Sequence, residues 1–281
     1  MDAAFRRYAE QCPDAVMVTD RDGRIEYVNG VFERMTGYAR AELVGHSVAM
    51  LKSGTHEADF YRGLWKALMA GDDFRAVFCN RRKNGERYYE EKILRPLEGG
   101  FVSFGRDVTE RALEFEKLMH AATHDSLTNL PNRSLFLDRL GQALRQAARR
   151  NEVFTVGIFD IDRFRDTNNR FGHLAGDAVL QAVAERTRGC LRDTDTVARI
   201  GGDEFALILS GAGADAAAPV LEKIVAANAA PVGFEGRELP VSVSVGACTY
   251  PRDAAGELDL QKRADLNMYE AKRAGGNRYA L

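Results

Sequence analysis

The sequence predicts an α+β chain of two domains, each an antiparallel sheet carrying helices, and three observations lead there. The first hundred residues break into short β-rich runs joined by Asp-Gly, Asn-Gly and Gly-Gly turns. A turn-free stretch follows at about 107–123, with apolar residues at helical spacing. Beyond it, helical and strand-like patterns alternate to the end of the 281 residues, a length that suits two ordinary cores better than one.

Taken in order, "AVMVTD", "IEYVN", "FRAVFCNRR", "ERYYEEKILRPL" and "FVSFGRDV" read as strands. Between them "GLWKALMAG" reads as a helix, with Leu64, Trp65 and Leu68 on one face and Gly71 as its stop. In the turn-free stretch Val108, Ala112, Phe115, Met119 and Ala122 recur at spacings of 4, 3, 4 and 3, a narrow heptad stripe. Two heptads leave open both a coiled coil and an amphipathic helix packing on its own domain. The remainder reads as helix (about 134–149), strand (153–160), helix (172–189), a strand pair around Gly201, helix (214–228), strand (239–248) and helix (258–274). In that last strand Val241, Val243, Val245 and Ala247 alternate with Ser and Gly, the period of a half-buried strand. This order resembles a ferredoxin-like split βαβ arrangement with extra helices, a fold that hosts many functions.

Composition narrows the classes of partner. A formal net charge of -2 gives no overall electrostatic reason to bind nucleic acid or an acidic membrane surface. Cys12, Cys79, Cys190 and Cys248 form no C-x-x-C pair, so neither a disulfide framework nor a structural zinc site is expected, and reduced thiols fit a cytoplasmic setting. No signal-peptide core and no run of about 18 apolar residues occurs, so a soluble cytoplasmic protein that does not enter the membrane is expected.

The chemistry concentrates in two places. "TVARI" and "FALIL" are strand candidates joined through Gly201 and Gly202, which are expected to supply the positive φ of a tight turn and to leave bare backbone where a phosphate can approach. Asp203 and Glu204 then stand at the tip of that hairpin. The run 153–159 reads as a central strand ending in Asp160-Ile161-Asp162, and alternation puts Asp160 and Asp162 on one face. Should this strand lie beside the hairpin, Asp160 meets Asp203 and Glu204, and carboxylates so close repel one another unless a cation sits among them. Oxygen donors beside a glycine turn suit Mg²⁺, an ion that also holds nucleotide phosphates. Each motif singly reads as an ordinary turn; only their conjunction points to metal and phosphate chemistry.

Residues 201–205 spell the signature of the GGDEF family, the diguanylate cyclases. "HDSLTNLPNR" (124–133), "DIDRFRDTNNRFGHLAGD" (160–177), "RIGGDEFAL" (199–207) and "YEAKRAGGNR" (269–278) resemble the family's other motifs in the family's order, so the likeness covers about residues 120–281. It implies a cyclase-palm domain that joins two GTP into cyclic di-GMP with release of two pyrophosphates, one GTP bound per subunit of a homodimer. By position it implies catalytic roles for Asp160, Asp203 and Glu204. Mg²⁺ or Mn²⁺ is then held by Asp160, the Ile161 carbonyl and Asp203, with Glu204 as a further ligand or as the group near the attacking hydroxyl. Asn168 and Asp177 read guanine, a carboxylate accepting from its two adjacent N–H donors. Phe164, Arg165, Gly201 and Gly202 approach the phosphates through backbone, and Lys272 meets them as a point charge. Gly276 stands where many members carry Arg or Lys, which removes one phosphate contact. Arg192 and Asp195, in "RDTD", fall where the family carries its RxxD inhibitory site for cyclic di-GMP. Asp125 and Arg133 are expected to brace the linker and His173 to be structural. The alternative is a catalytically silent module that binds GTP or cyclic di-GMP and signals to a partner.

"VNGVFERMTGYARAELVGHS", "NRRKNGERYYEEKILRPL" and "GRDVTER" resemble a PAS sensor domain. The expected organisation is therefore a PAS domain at 1–107, a signalling linker helix at 108–123 and a cyclase domain at 124–281. "LKSG…FYRGLW…NRRKNG" resembles the flavin-binding PAS subset, whereas Phe74-Arg75-Ala76 replaces the aromatic-x-Gly often seen there. A flavin, haem ligation by His46 or His56, and an empty domain serving dimerisation all stay open. Cys79 lies outside any photoreactive cysteine motif.

Overall fold

The computed structural model describes residues 3–281. Met1 and Asp2, with which the expected first domain opens, lie outside the described residues. The chain divides into two compact units, Met1–Lys117 and Leu118–Leu281.

The first unit runs α1 (Ala3–Gln11), β1 (Ala15–Asp20), β2 (Ile25–Val28), α2 (Gly30–Thr36), α3 (Arg40–Leu43), a 3₁₀ turn (Val48–Leu51), α4 (Ala58–Ala70), β3 (Phe74–Arg81), β4 (Arg87–Leu97) and β5 (Gly100–Asp107). Its sheet is antiparallel in the order β2-β1-β5-β4-β3. Alternation along β1 serves both faces: Ala15 and Met17 pack with Phe32 and Leu43, while Val16 and Val18 pack with Ala9 of α1. Asn29 ties these layers together. Its buried side chain accepts from the Val16 and Phe32 amides, both at 3.0 Å, and donates to the Ala9 carbonyl at 2.8 Å, so it caps α2 and fixes α1 at once. Gly71 ends α4 in the left-handed conformation, φ 89°.

Helix α5 (Thr109–Thr123) starts on Asp107, whose Oδ1 accepts from the Thr109 amide at 2.9 Å and its hydroxyl at 2.5 Å. No residue of α5 is buried, and Phe115, Leu118 and Met119 are more than half exposed. Val108 and Ala112 at the start of its stripe are half-buried and the Tyr89 hydroxyl donates to Glu116 at 3.1 Å, whereas Phe115, Met119 and Ala122 farther along stand exposed. The division between the units falls inside this helix.

The second unit continues with α6 (Arg133–Arg150), β6 (Phe154–Ile161), α7 (Phe164–Phe171), α8 (His173–Arg188), β7 (Thr196–Arg199), β8 (Glu204–Ser210), α9 (Ala214–Asn228), β9 (Val232–Phe234), β10 (Arg237–Leu239), β11 (Val243–Tyr250), α10 (Glu257–Arg273) and β12 (Arg278–Ala280). The main sheet has the order β12-β11-β6-β8-β7, with only β12 parallel to its neighbour. Both faces are covered. Phe159, Phe205, Leu207 and Val245 pack with α8 and α9 residues, while Val156, Ile158 and Ile208 pack with Phe136, Leu140 and Leu260 of α6 and α10. This explains why every residue of β6 is buried and why its sequence lacks alternation.

The helix expected at 172–189 is α8, and a further helix that the sequence pattern did not suggest, α7, precedes it, the two divided at Gly172 with φ 86°. Two expectations need correction here. The strand at 239–248 begins only at Val243, Leu239 belonging instead to the β9–β10 hairpin, which turns through Glu235 and Gly236, both at positive φ. Gly201 and Gly202 do not adopt positive φ.

Candidate active site

Burial across β6 delivers its last residues to the sheet edge, where Asp160 is only 9% exposed. Register places it directly opposite Glu204 of β8 and Ser244 of β11. The β7–β8 turn closes through the Ile200 amide on the Glu204 carbonyl at 2.9 Å. What shapes this turn is an arginine, not left-handed glycine. Arg199 donates through Nε (3.1 Å) and Nη2 (2.7 Å) to the Gly202 carbonyl, and through Nη1 to both Asp125 oxygens at 3.0 and 3.2 Å. Gly201 has a separate reason to be glycine: a Cβ there would come 2.7 Å from Glu204 Oε2 and 3.2 Å from its Cβ.

Charge at this edge is unbalanced. Burial lifts the Asp160 carboxyl above its ordinary acidity range; a hydrogen bond from Lys272 opposes the rise, and the Asp203 and Glu204 charges add to it. Lys272 Nζ, from α10, lies 2.8 Å from Asp160 Oδ1. Asp162, by contrast, is fully engaged: it accepts from the Ser242 and Ser244 hydroxyls at 2.6 Å and from the Asn277 amide at 2.9 Å. It acts as a clamp on the end of α10. That clamp also accounts for Gly276, whose φ is 71° and whose added Cβ would meet the Asp162 carboxylate at 2.9 Å, so any side chain there would be strained.

A divalent cation matches the donor chemistry, since Asp160, Asp203 and Glu204 offer only hard oxygens. As the side chains stand, no group of three or more His, Cys, Asp or Glu among the described residues is gathered tightly enough to hold a metal. The ammonium of Lys272 instead supplies the positive charge that Asp160 lacks. Ile161 ends β6 between the two aspartates with its side chain buried.

Helix α7 starts from Arg163 at φ 54°, so Phe164 and Arg165, its first two residues, carry amides without a partner inside the helix. Asn168, one turn later, lies against Gly176 of α8, where a Cβ would come within 2.0 Å of Asn168 Oδ1. Asp177 follows Gly176 directly and is half-buried. Asn168 Oδ1 is buried without a hydrogen-bond partner, sealed against Gly176. Sequence reasoning passed over Gly176, although "AGD" carried the signal.

Away from this edge, Asp195 caps its own turn, accepting from the Arg192 amide and the Ser210 amide, each at 3.1 Å. Arg192 borders a groove of about 190 Å³ shared with Arg139 and Arg188, two cations that the "RDTD" pattern did not reveal. Arg133 borders another groove, of about 200 Å³, with Glu204 and Lys262. His173 is exposed at the first position of α8. The Asp125 carboxyl is raised by burial, but hydrogen bonds from Thr128 and Arg199 outweigh this and hold it below its ordinary value.

Comparison with known proteins shows the family and the fold. The family model described as "Diguanylate cyclase, GGDEF domain" matches residues 122–278, and one described as "PAS fold" matches 9–113. The diguanylate cyclase TpbB of Pseudomonas aeruginosa is 46% identical over 169 residues, which cover 59% of this chain and 39% of that protein. This chain thus spans well under half of that relative's length. The solved GGDEF domain of TpbB from the same species superposes with a TM-score of 0.55 at 43% identity, covering 56% of this chain and 93% of that one. The coiled coil and GGDEF domain of DgcB from Caulobacter crescentus, solved in complex with cyclic di-GMP, gives a TM-score of 0.56 at 32% identity, covering 61% and 92%. No helix among the described residues is long and apolar enough to cross a membrane.

Proposed function

Because the chain belongs to the GGDEF family of diguanylate cyclases and carries a PAS fold ahead of that domain, we propose that it condenses two GTP into cyclic di-GMP and two pyrophosphates. In each of two steps a 3′-hydroxyl forms a bond to an α-phosphorus, and the bond from that phosphorus to pyrophosphate breaks. Two copies of the chain each hold one GTP, with the exposed apolar stripe of α5 joining them as a coiled coil. The chain is accordingly a PAS domain over 1–107, a linker helix over 108–123 and a cyclase over 124–281.

The observation that carries this reading is the excess of carboxylate at the end of β6, where Asp160 faces Glu204 and feels Asp203 with a single lysine as counter-charge. Mg²⁺ or Mn²⁺ would be held by Asp160, the Ile161 carbonyl, Asp203 and Glu204, and supplies charge neutralisation for the phosphates. Asn168 and Asp177 bind the guanine edge, the Asp177 carboxylate accepting from the base's adjacent N–H donors. The amides of Phe164 and Arg165 at the start of α7, together with Gly201 and Gly202, bind phosphate oxygens, and Lys272 turns from Asp160 to the triphosphate. Glu204 sits near the attacking hydroxyl and orients it. Product cyclic di-GMP binds the Arg192/Asp195 turn, with Arg139 and Arg188 adding charge, and inhibits.

The test is incubation of the chain with GTP and Mg²⁺ and chromatographic identification of the product. Cyclic di-GMP is expected, and Asp203→Asn lowers its formation by a factor on the order of 10² or more. Tight GTP binding with no product would instead identify a silent nucleotide-binding module.

A further inference from the structure

The first unit contains a cavity of about 210 Å³, and we propose that it binds a small, uncharged, planar aromatic molecule whose carbonyl oxygen is held by Lys92 and Ser103. The inference is independent of the cyclase reading. The walls are aromatic and aliphatic: Trp65 and Phe101 meet edge to face at 5.6 Å, with Tyr61, Phe78 and Leu68 beside them. Cavities for drug-sized ligands run from about 300 Å³ upward, so this one suits a compound of one or two rings.

The floor is where recognition lies. Lys92 is only 5% exposed, and a lysine ammonium has three N–H donors. One of them meets Glu90 Oε2 at 2.9 Å, and the ammonium otherwise lies over the Phe32 and Phe78 rings, 5.8 and 5.5 Å from their centroids, without a second oxygen partner. Ser103, 2% exposed, lines the same cavity with its hydroxyl unpartnered. Buried donors without acceptors are costly, by about 1–3 kcal/mol each, unless something brings the missing oxygen. The register of β4 and β5, Lys92 opposite Gly105 and Leu94 opposite Ser103, puts the two donors on one face of the sheet as diagonal neighbours lining the same cavity, so that one acceptor atom between them can serve both.

Charge decides what kind of acceptor. Glu90, completely buried, already balances Lys92 and also accepts from Asn80 Nδ2 at 3.1 Å. It cannot swing away, because its other oxygen is packed against Gly105, where even a Cβ would come within 1.9 Å. A second carboxylate entering the chamber would leave a net buried negative charge, which low-dielectric surroundings penalise. A carbonyl oxygen satisfies Lys92 and Ser103 without that penalty. The aromatic walls then select a flat ring to carry it.

Trp65 lines the cavity and is the chain's sole tryptophan, so its emission reports occupancy in the full-length chain. Three probes of similar size separate the alternatives at neutral pH: acetophenone, benzoate and ethylbenzene. Acetophenone is expected to change Trp65 emission saturably and to bind about tenfold or more tightly than either of the others. Ser103→Ala, which leaves the packing intact, weakens acetophenone about fivefold to tenfold and leaves ethylbenzene unchanged. The paired change Glu90→Gln with Lys92→Met, which keeps the chamber neutral, abolishes the preference for acetophenone. Equal binding of ethylbenzene, tighter binding of benzoate, or no saturation with any probe each overturns the proposal.

Discussion

Each unit contains a lysine–carboxylate pair of nearly the same length, Lys92–Glu90 at 2.9 Å and Lys272–Asp160 at 2.8 Å, and the two are built for opposite ends. In the first, both side chains are sealed, at 6% and 0% exposure. In the second, the lysine is 34% exposed and the carboxylate 12%, and two further acids stand beside it. Distance alone does not distinguish a fixed anchor from a placeholder. What distinguishes them is whether either partner has somewhere else to go. Lys92 and Glu90 are sealed in place, whereas Lys272 already reaches solvent and, on the proposed function, Asp160 exchanges it for a divalent cation.

The largest effect expected from this contrast is on the sealed pair. Lys92→Met strands a buried carboxylate and should cost the first unit about 3–5 kcal/mol, read as a fall in the denaturant midpoint followed through Trp65. Adding Glu90→Gln should recover most of the loss, because a neutral amide no longer needs the ammonium. A loss under about 1 kcal/mol from the single change would mean that Glu90 is not confined, and the contrast between the units would fail.

A third acid lies between these extremes and calibrates them. Asp125 and Arg199 form a bidentate pair at 22% and 14% exposure, and Arg199 carries the grip onward to the Gly202 carbonyl. Asp125→Asn keeps an acceptor for Thr128 but loses the paired charge, for an expected cost of about 1–2 kcal/mol to the second unit, followed by circular dichroism. The sign with pH follows from the depressed acidity of Asp125 in the fold. Its contribution is present above the ordinary carboxylate range and disappears as pH falls through the lower folded value. The gap between variant and parent should therefore be full at neutral pH and close in acid. A gap that widens in acid would show that the pair does not stabilise the turn.

Much of this architecture was legible beforehand, and the misses have definite causes. The unbroken apolar run before Asp160 announced a strand covered on both faces, while its meeting with Asp203 and Glu204 was legible only on condition that this strand lies beside the hairpin, which the β6–β8 register meets. The conformation of the turn could not. Gly-Gly invites a left-handed reading, yet here the shape is imposed by Arg199 acting on a carbonyl, a tertiary contact with no local signature. Helix α7 was missed because its eight residues, "FRDTNNRF", are mostly polar and none is buried, so no apolar stripe announces it, whereas α8 was found within a residue at each end. The Lys92–Glu90 pair was invisible for another reason: "YYEEKIL" alternates as an amphipathic strand should, and nothing in the letters says that the charged positions face inward.

The smallest expected effect falls on the open pair, and it tests the contrast most sharply. Removing Lys272 leaves Asp160 facing Asp203 and Glu204 without a counter-charge, yet the site is wet enough for water to screen much of the repulsion. Lys272→Met should therefore cost the second unit only about 1 kcal/mol or less in the presence of a chelator. If the lysine is a placeholder, millimolar Mg²⁺ should erase that deficit, because an ion bound only by the folded form supplies the missing charge and stabilises by mass action. The same variant should raise KM for GTP more than it lowers kcat, since its ammonium is assigned to substrate binding. A stability deficit of several kcal/mol that Mg²⁺ leaves untouched would make Lys272 an anchor of the same kind as Lys92. The carboxylates at the end of β6 would then be balanced by the chain itself, with no excess charge left to attract a metal nucleotide.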